Sequence, residues 1–298
     1  MKSPRMPAYG GQALIEGVLM RSRYVAVAAM RTPEGQITLH VEPLSNIYRS
    51  KFWQLPFVRG VIALWDALGL GMRFLTISAN LQAPEEEKLE GKSAILTVGV
   101  SLILAIGLFF LIPAGIAQFL QNLLSINAFA SNLIEGVVRL IFVIGYIWGI
   151  GQIPEIQRVF AYHGAEHKTI NAFEGEAELT PEKVREYPLE HPRCGTSFLL
   201  TLIIVSIIVF TLLGDLTPFW RIATRVIFLP VLAGIAYEYI RWSANHIENP
   251  LVKSLIQPNL ALQRLTTREP DPSMLQVAIT AFTEMLRLEK EYSQSQEM

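Results

Sequence analysis

The chain has a single cysteine, Cys194, in 298 residues. That excludes an intramolecular disulfide and a zinc knuckle built from CxxC pairs. Charge is scarce as well: Asp, Glu, Lys and Arg make up 17% of the chain, where an ordinary globular protein has about 25%. The shortage is local, with no charged residue between Ser93 and Ile134 or between Gly195 and Gly214. Crossing a bilayer takes about 20 apolar residues, so runs of this length exclude a soluble class. A basic excess is missing too. The net charge of −1 excludes a generic nucleic-acid binder. The first 24 residues are broken by prolines, Glu16 and arginines and hold no apolar core, so they do not read as a secretory signal.

What is present is hydrophobic, 51% of the chain, and it predicts a mainly α polytopic membrane protein with about four transmembrane helices. The spans are Ala94–Leu120, Leu133–Ile153, Thr196–Leu213 and about Trp220–Trp242. The second carries Glu135 and Arg139, four apart on one helix face, where an ion pair softens the cost of burial. The fourth has its charges at its ends: Arg221 and Arg225 at one, Glu238 and Arg241 at the other, placed to snorkel. Trp220 and Trp242 bracket it as interfacial anchors. Twenty-two of the 25 Lys and Arg fall in residues 1–92, 154–195 and 241–298, and the loop 121–132 has none. The positive-inside rule then puts both termini and the middle loop in the cytoplasm, or the stroma of a plastid. The expected membrane is a cell inner membrane or a plastid, thylakoid-type one, and the lipid bilayer is the first partner.

The expected organisation follows from these spans. Residues 1–92 form an N-terminal cytoplasmic region. Its Tyr24–Arg31 and Ile37–Val41 alternate around a Gly-containing turn and predict a small β-hairpin. Phe57–Asn80 in the same region reads as a helix with Arg59, Asp66 and Arg73 spaced by seven, lying in the interface or packing on the bundle. Residues 93–153 hold spans one and two, 154–195 a cytoplasmic loop, 196–242 spans three and four, and 243–298 a cytoplasmic tail ending in an amphipathic helix, Pro272–Glu291.

Chemistry gathers in the middle loop. Three of the five histidines, His163, His167 and His191, lie there with Cys194. His163 and His167 share a helix face four residues apart and can reach one ion. With Glu166 they read H-x-x-E-H, the inverted arrangement of zinc peptidases, in which the glutamate is the general base. His191 adds a third imidazole, and Glu174, Glu176 or Glu178 an oxygen. Imidazole and thiolate together favour zinc as the divalent metal. Cys194 inside the ligand shell tends to close the site, and outside it leaves room for an activated water. The metal-free reading has these residues in ion pairs and hydrogen bonds at the headgroups. Arg193 and Lys168 are the candidates to stabilise an anionic transition state. Glu238 reads as an ion pair with Arg241 before it reads as part of the site, Glu16 as a buried hydrogen-bond partner, and His246 and His40 as exposed.

Four motifs carry a family resemblance: GGQALIEGVLMRS (Gly10–Ser22), YHGAEHKTINAFE (Tyr162–Glu174), HPRCGTSFL (His191–Leu199) and LQRLTTREPDPSMLQVAITAF (Leu262–Phe282). In this order they resemble the YqhQ family of bacterial and plastid membrane proteins, described as predicted metal-dependent enzymes. The resemblance covers nearly the whole chain. The family's histidine-glutamate motif matches His163, Glu166 and His167, and its H-x-R-C-G-T motif matches His191, Arg193, Cys194, Gly195 and Thr196, here with Pro192 between histidine and arginine, so the resemblance supports a metal site in this loop. It brings no substrate. The sequence therefore leaves two classes standing. One is a metal-dependent hydrolase with His163, His167 and His191 as ligands, Glu166 as base, and a membrane-proximal peptide or lipid-linked substrate. The other is a non-catalytic scaffold or assembly factor with a structural Cys-His zinc site and a membrane-protein partner.

Overall fold

Four antiparallel strands open the chain: β1 (Gly10–Leu14), β2 (Gly17–Arg21), β3 (Val25–Arg31) and β4 (Ile37–Pro43), side by side in sequence order. The structure, a computed structural model, describes residues 9–45, 52, 55–89, 91–214 and 216–294. The expected hairpin is β3–β4, with Val27 opposite Val41, and two further strands precede it. Strands covered on both faces lose the apolar–polar alternation that marks a strand in sequence. In β2 and β3 the alternation survives only as a choice between two cores. Val18, Met20, Val25, Val27 and Ala29 face one core, while Leu19, Ala26, Ala28 and Met30 face the other.

The second core is closed by helix α1 (Val58–Gln82), which contains a π turn at Ala67–Gly71 and buries Phe74 there. The spacing of seven gives each charge on α1 its own partner along the helix. Arg59 forks onto Glu238, Asp66 meets Arg21 of β2 at 2.6 Å, and Arg73 meets Glu42 of β4 at 2.7 Å. The helix thus begins on the bundle and ends on the sheet. Glu238 takes Arg59, 179 residues away, where the sequence offered Arg241 as first choice.

Helices α2 (Gly91–Leu124), α3 (Ala128–Ile150) and, after helix α4 (Pro154–Glu174), α5 (Gly195–Leu212) have mean hydropathies of 2.8, 1.9 and 2.4 over their most apolar stretches. They coincide with the first three predicted spans. With α1 they are the four helices among the described residues that are long and apolar enough to cross a membrane. The fourth predicted span is broken into α6 (Pro218–Ile227) and α7 (Leu229–Asn245), bent by 47° with Pro230 in the first turn of α7.

The snorkelling expected of Arg221 and Arg225 is corrected. Both are buried, and both turn inward to Glu135 on α3. The reason is the strong sidedness of α6: Phe219, Ile222 and Val226 are exposed on its outer side, which leaves the two arginines, four apart, on the inner one. Asp215, in the loop before α6, lies outside the described residues. The expected Glu135–Arg139 pair forms at 2.7 Å. Arg139 also donates from Nε to the Phe109 carbonyl, 3.0 Å away in a π turn of α2 (Gly107–Leu111) whose widened ladder leaves that oxygen free.

Besides short helices at Pro181–Val184 and Pro250–Leu255, two longer ones follow, α8 (Gln257–Thr266) and α9 (Pro272–Gln294). The amphipathic tail helix is α9. It lays Leu275, Ala278, Phe282 and Met285 into the first core, against the sheet and against Tyr162 and Ala165 of α4.

Candidate metal centre

Helix α4 is built for burial on several sides. Pro154 opens it and Gly175 follows its end, and Ala161, Tyr162 and every residue from Gly164 to Ile170 are buried. Sheet and α9 cover one side. The chain after the helix returns over another and is tied down by it: Lys168 Nζ donates to the Arg185 and Tyr187 carbonyls at 2.8 Å, and Asn171 Nδ2 to those of Pro188 and Glu190. The Gln263 side chain on α8 pairs with both the N–H and the C=O of His191 at 2.9 Å. This strapping delivers Cys194 to the start of α5, where Thr196 N–H donates to its Sγ at 3.3 Å.

Three expected residues come together. His163 Nε2 is 3.3 Å from Cys194 Sγ, and one donor atom from each of His163, His167 and Cys194 lies within 4.8 Å of the others. Donors about 2.0–2.3 Å from a tetrahedral zinc are roughly 3.3–3.7 Å apart, so this spacing needs only a small contraction. The tautomers agree. Each imidazole faces a carbonyl, which can only accept, so Nδ1–H of His163 donates to Thr266 O at 2.9 Å and Nδ1–H of His167 to Leu189 O at 2.5 Å. Both Nε2 atoms then carry a lone pair, with a backbone carbonyl orienting each ring, as metal-bound histidines have it. His167 Nε2 is buried and has no hydrogen-bond partner among the described residues. A buried acceptor left bare costs about 1–3 kcal/mol. The donor set fits a soft-to-borderline divalent ion such as zinc.

Glu166 lies against the cluster, its Oε2 3.7 Å from His167 Nε2 and 3.9 Å from His163 Nε2. Burial pushes its carboxyl up to about 7, against the opposing pull of His163 and of a hydrogen bond from Gly11 N–H. A Cβ on Gly11 would sit 2.7 Å from Glu166 Cγ, so only glycine lets β1 approach this closely. A polar cavity of about 60 Å³ opens here, lined by Gly10, Gly11, His163, Glu166, Arg193 and Cys194 among others. That is room for one or two waters.

The other expected residues stand apart from the cluster. The His191 ring is 5.8 Å from that of His167, and its Nε2 faces Glu174 Oε2 at 3.6 Å. Burial lowers the His191 pKa, against the upward pull of Glu174. Glu174 also takes Arg193. Burial works to raise its pKa, but His191 and Arg193 outweigh that and hold it low. Arg193 lines the cavity, whereas the Lys168 ammonium is occupied by loop carbonyls and by Glu269 at 3.0 Å. Glu176 and Glu178 are not part of the cluster. His246 and Glu238 are elsewhere, and His40 packs edge-on against Phe74. The orienting groups Thr266 O and Leu189 O carried no sequence signal, since backbone carbonyls belong to every residue type; Gln263 acts through its side-chain amide.

A family model described as a protein of unknown function, DUF1385, matches residues 55–288. The chain is also 37% identical over 310 residues to a Bacillus subtilis (strain 168) protein named "Uncharacterized protein YqhQ", covering 97% of this chain and 96% of that one. This chain belongs to the DUF1385 family. No solved structure matches it. The family match starts after the sheet, while the likeness to YqhQ takes in β1–β4 and with them the Gly10–Gly11 wall of the cavity.

The DUF1385 chain also carries a latch beside the centre. Glu16 has φ 52° at the β1–β2 turn, and Arg158 of α4 forks onto its carboxylate at 2.5 and 2.6 Å while Tyr162 OH donates at 3.2 Å. The Arg158 hydrogen bonds hold the Glu16 carboxyl below the usual carboxylate range. A depressed folded-state pKa gives stability that is present above the unfolded pKa and lost as pH falls through the folded one. The wild type should therefore lose melting temperature more steeply than Glu16→Gln between about pH 5 and pH 3. Parallel slopes in scanning fluorimetry would refute this.

Proposed function

We propose that this protein is an integral membrane protein that binds one divalent metal, zinc by the chemistry of its donors, through His163, His167 and Cys194. We further propose that the centre is hydrolytic and acts on a membrane-proximal peptide or a lipid-linked group. The observation that carries this reading is three His/Cys donors within 4.8 Å of one another beside a buried carboxylate. Three protein ligands with one position left for water or substrate is the pattern of catalytic zinc. When bound, such an ion supplies Lewis acidity and makes water acidic enough to ionise near neutral pH. Glu166 holds the proton at Oε2. Arg193, at the cavity wall, offers positive charge to a developing oxyanion, and Lys168 fastens the loop. His191 serves as a neighbour that Glu174 orients. The site sits where α5, an apolar helix, begins, so a substrate anchored in the bilayer meets it at the membrane edge. Counted basic residues put that edge on the cytoplasmic or stromal side.

The size of the cavity favours a second reading, a structural zinc that pins the 154–195 loop to the bundle in a scaffold or assembly factor. One experiment separates them. Metal per chain is measured by mass spectrometry on protein purified in detergent without chelators, beside His167→Ala, Cys194→Ser and Glu166→Gln. The catalytic reading expects about one zinc in the wild type, loss in His167→Ala, retention in Glu166→Gln, and normal abundance of Cys194→Ser whatever its metal content. Joint loss of metal and of folded protein in Cys194→Ser supports the structural site. A metal-free wild type sinks both.

A further inference from the structure

The end of the bundle away from the metal centre holds a second polar assembly. Cys194 begins α5, whereas Phe210, near its other end, accepts a hydrogen bond from Asn132 of α3 at 2.9 Å. There Glu135, Arg139, Arg221 and Arg225 are all buried, at 2%, 2%, 6% and 1% exposure. Glu135 receives Arg139 Nη2 at 2.7 Å, Arg225 Nε and Nη2 at 2.9 and 2.7 Å, and Arg221 Nε and Nη2 at 3.3 and 3.2 Å. Guanidinium stays protonated in proteins. Three cations therefore share one carboxylate. Even if Asp215, the acid of the neighbouring loop, is counted as a partner, one positive charge has no counterion among the described residues.

A buried charge without a partner is costly, and more so at membrane depth. The surplus has an outlet at Arg221. Among the described residues its Nη1 is held by neutral amide oxygens, Gln118 at 3.1 Å and Gln121 at 2.8 Å, both partly exposed at the end of α2. Exchanging these for an anionic oxygen gives a charge-assisted bond about twice as strong. The level is marked by Phe219 and Trp220, exposed in the first turn of α6 beside Arg221. Aromatic residues of this kind sit at headgroup depth.

We propose that Arg221, Gln118 and Gln121 form an anion seat for a phosphate group at the membrane face opposite the metal centre, and that the phosphate is that of an anionic phospholipid. The bound headgroup supplies the missing counter-charge and ties α2, α3 and α6 together.

The test uses the full chain in an uncharged detergent and a chloride-free buffer. Melting temperature is followed against short-chain phosphatidylglycerol, short-chain phosphatidylcholine and inorganic phosphate. Phosphatidylglycerol should raise it saturably, by about 5 °C near saturation, and more than phosphatidylcholine does. Gln121→Glu places a carboxylate on Arg221 from within the chain. It should melt no lower than wild type without lipid and respond to neither anion. Arg221→Gln should also lose the response. A shift with inorganic phosphate but none with phosphatidylglycerol keeps the seat and overturns the lipid as its source. No shift with either, or an undiminished shift in Gln121→Glu, overturns the proposal.

Discussion

Exchanging Glu135 for leucine is expected to remove most of the folded protein from the membrane. The carboxylate is the shared acceptor of three buried guanidiniums. Breaking a buried pair by deleting one partner costs about 3–5 kcal/mol, because the other charge stays behind unpaired. Here three stay behind. A fusion followed by fluorescence-detected size exclusion should show the monodisperse peak fall to a small fraction of wild type. Glu135→Leu combined with Arg139→Leu should recover part of it, since Arg139 loses its acceptor and its charge together. Equal peaks for wild type and Glu135→Leu would mean that the cluster holds the bundle by packing alone.

Gly164→Ala should do comparable damage at the other site with a single methyl group. A Cβ there would lie 2.2 Å from the Arg268 carbonyl oxygen and 2.7 Å from Leu189 Cδ2. Backbone cannot swing aside as a flexible side chain does. The helix must draw away from both segments, and these supply the Thr266 and Leu189 carbonyls that orient His163 and His167. Overpacking of this kind costs about 1–3 kcal/mol. Metal per chain should fall well below the wild-type value even where circular dichroism reports unchanged helix content. Gly115→Ala, whose Cβ meets nothing within 4 Å, is the control and should be silent. Full metal content in Gly164→Ala would show that α4 shifts without loosening its ligands.

Parts of this arrangement are legible in the sequence and others are hidden for physical reasons. His163, Glu166 and His167 are readable because a helix of period 3.6 must place them on one face, and Cys194 because it is alone. The carbonyls that fix the imidazoles are hidden because any residue can supply one. Strands β1 and β2 escape notice since the sheet is a middle layer, and Glu16 in its turn looks like a polar interruption. Arg221 and Arg225 sit near a span end, where snorkelling is the default. That they turn inward depends on Glu135 lying on a different helix, which periodicity along a single segment cannot reveal. Arg59 and Glu238 make the same point across 179 residues.

Segments far apart in sequence share one core: Tyr9, just ahead of β1, packs edge-on against Phe282 of α9, and its hydroxyl donates to Glu289 at 2.8 Å. Strands β1–β4 must therefore wait for a helix made much later. During synthesis one face of the sheet stays bare while the apolar helices are inserted, and α4, which packs between β1 and α9, stays uncovered with it. Such long-range closure is slow and leaves apolar surface exposed meanwhile. The nascent domain is then a natural client for a chaperone until α9 has been made. A chain cut short ahead of α9 should be cleared by quality control with its spans already in the bilayer.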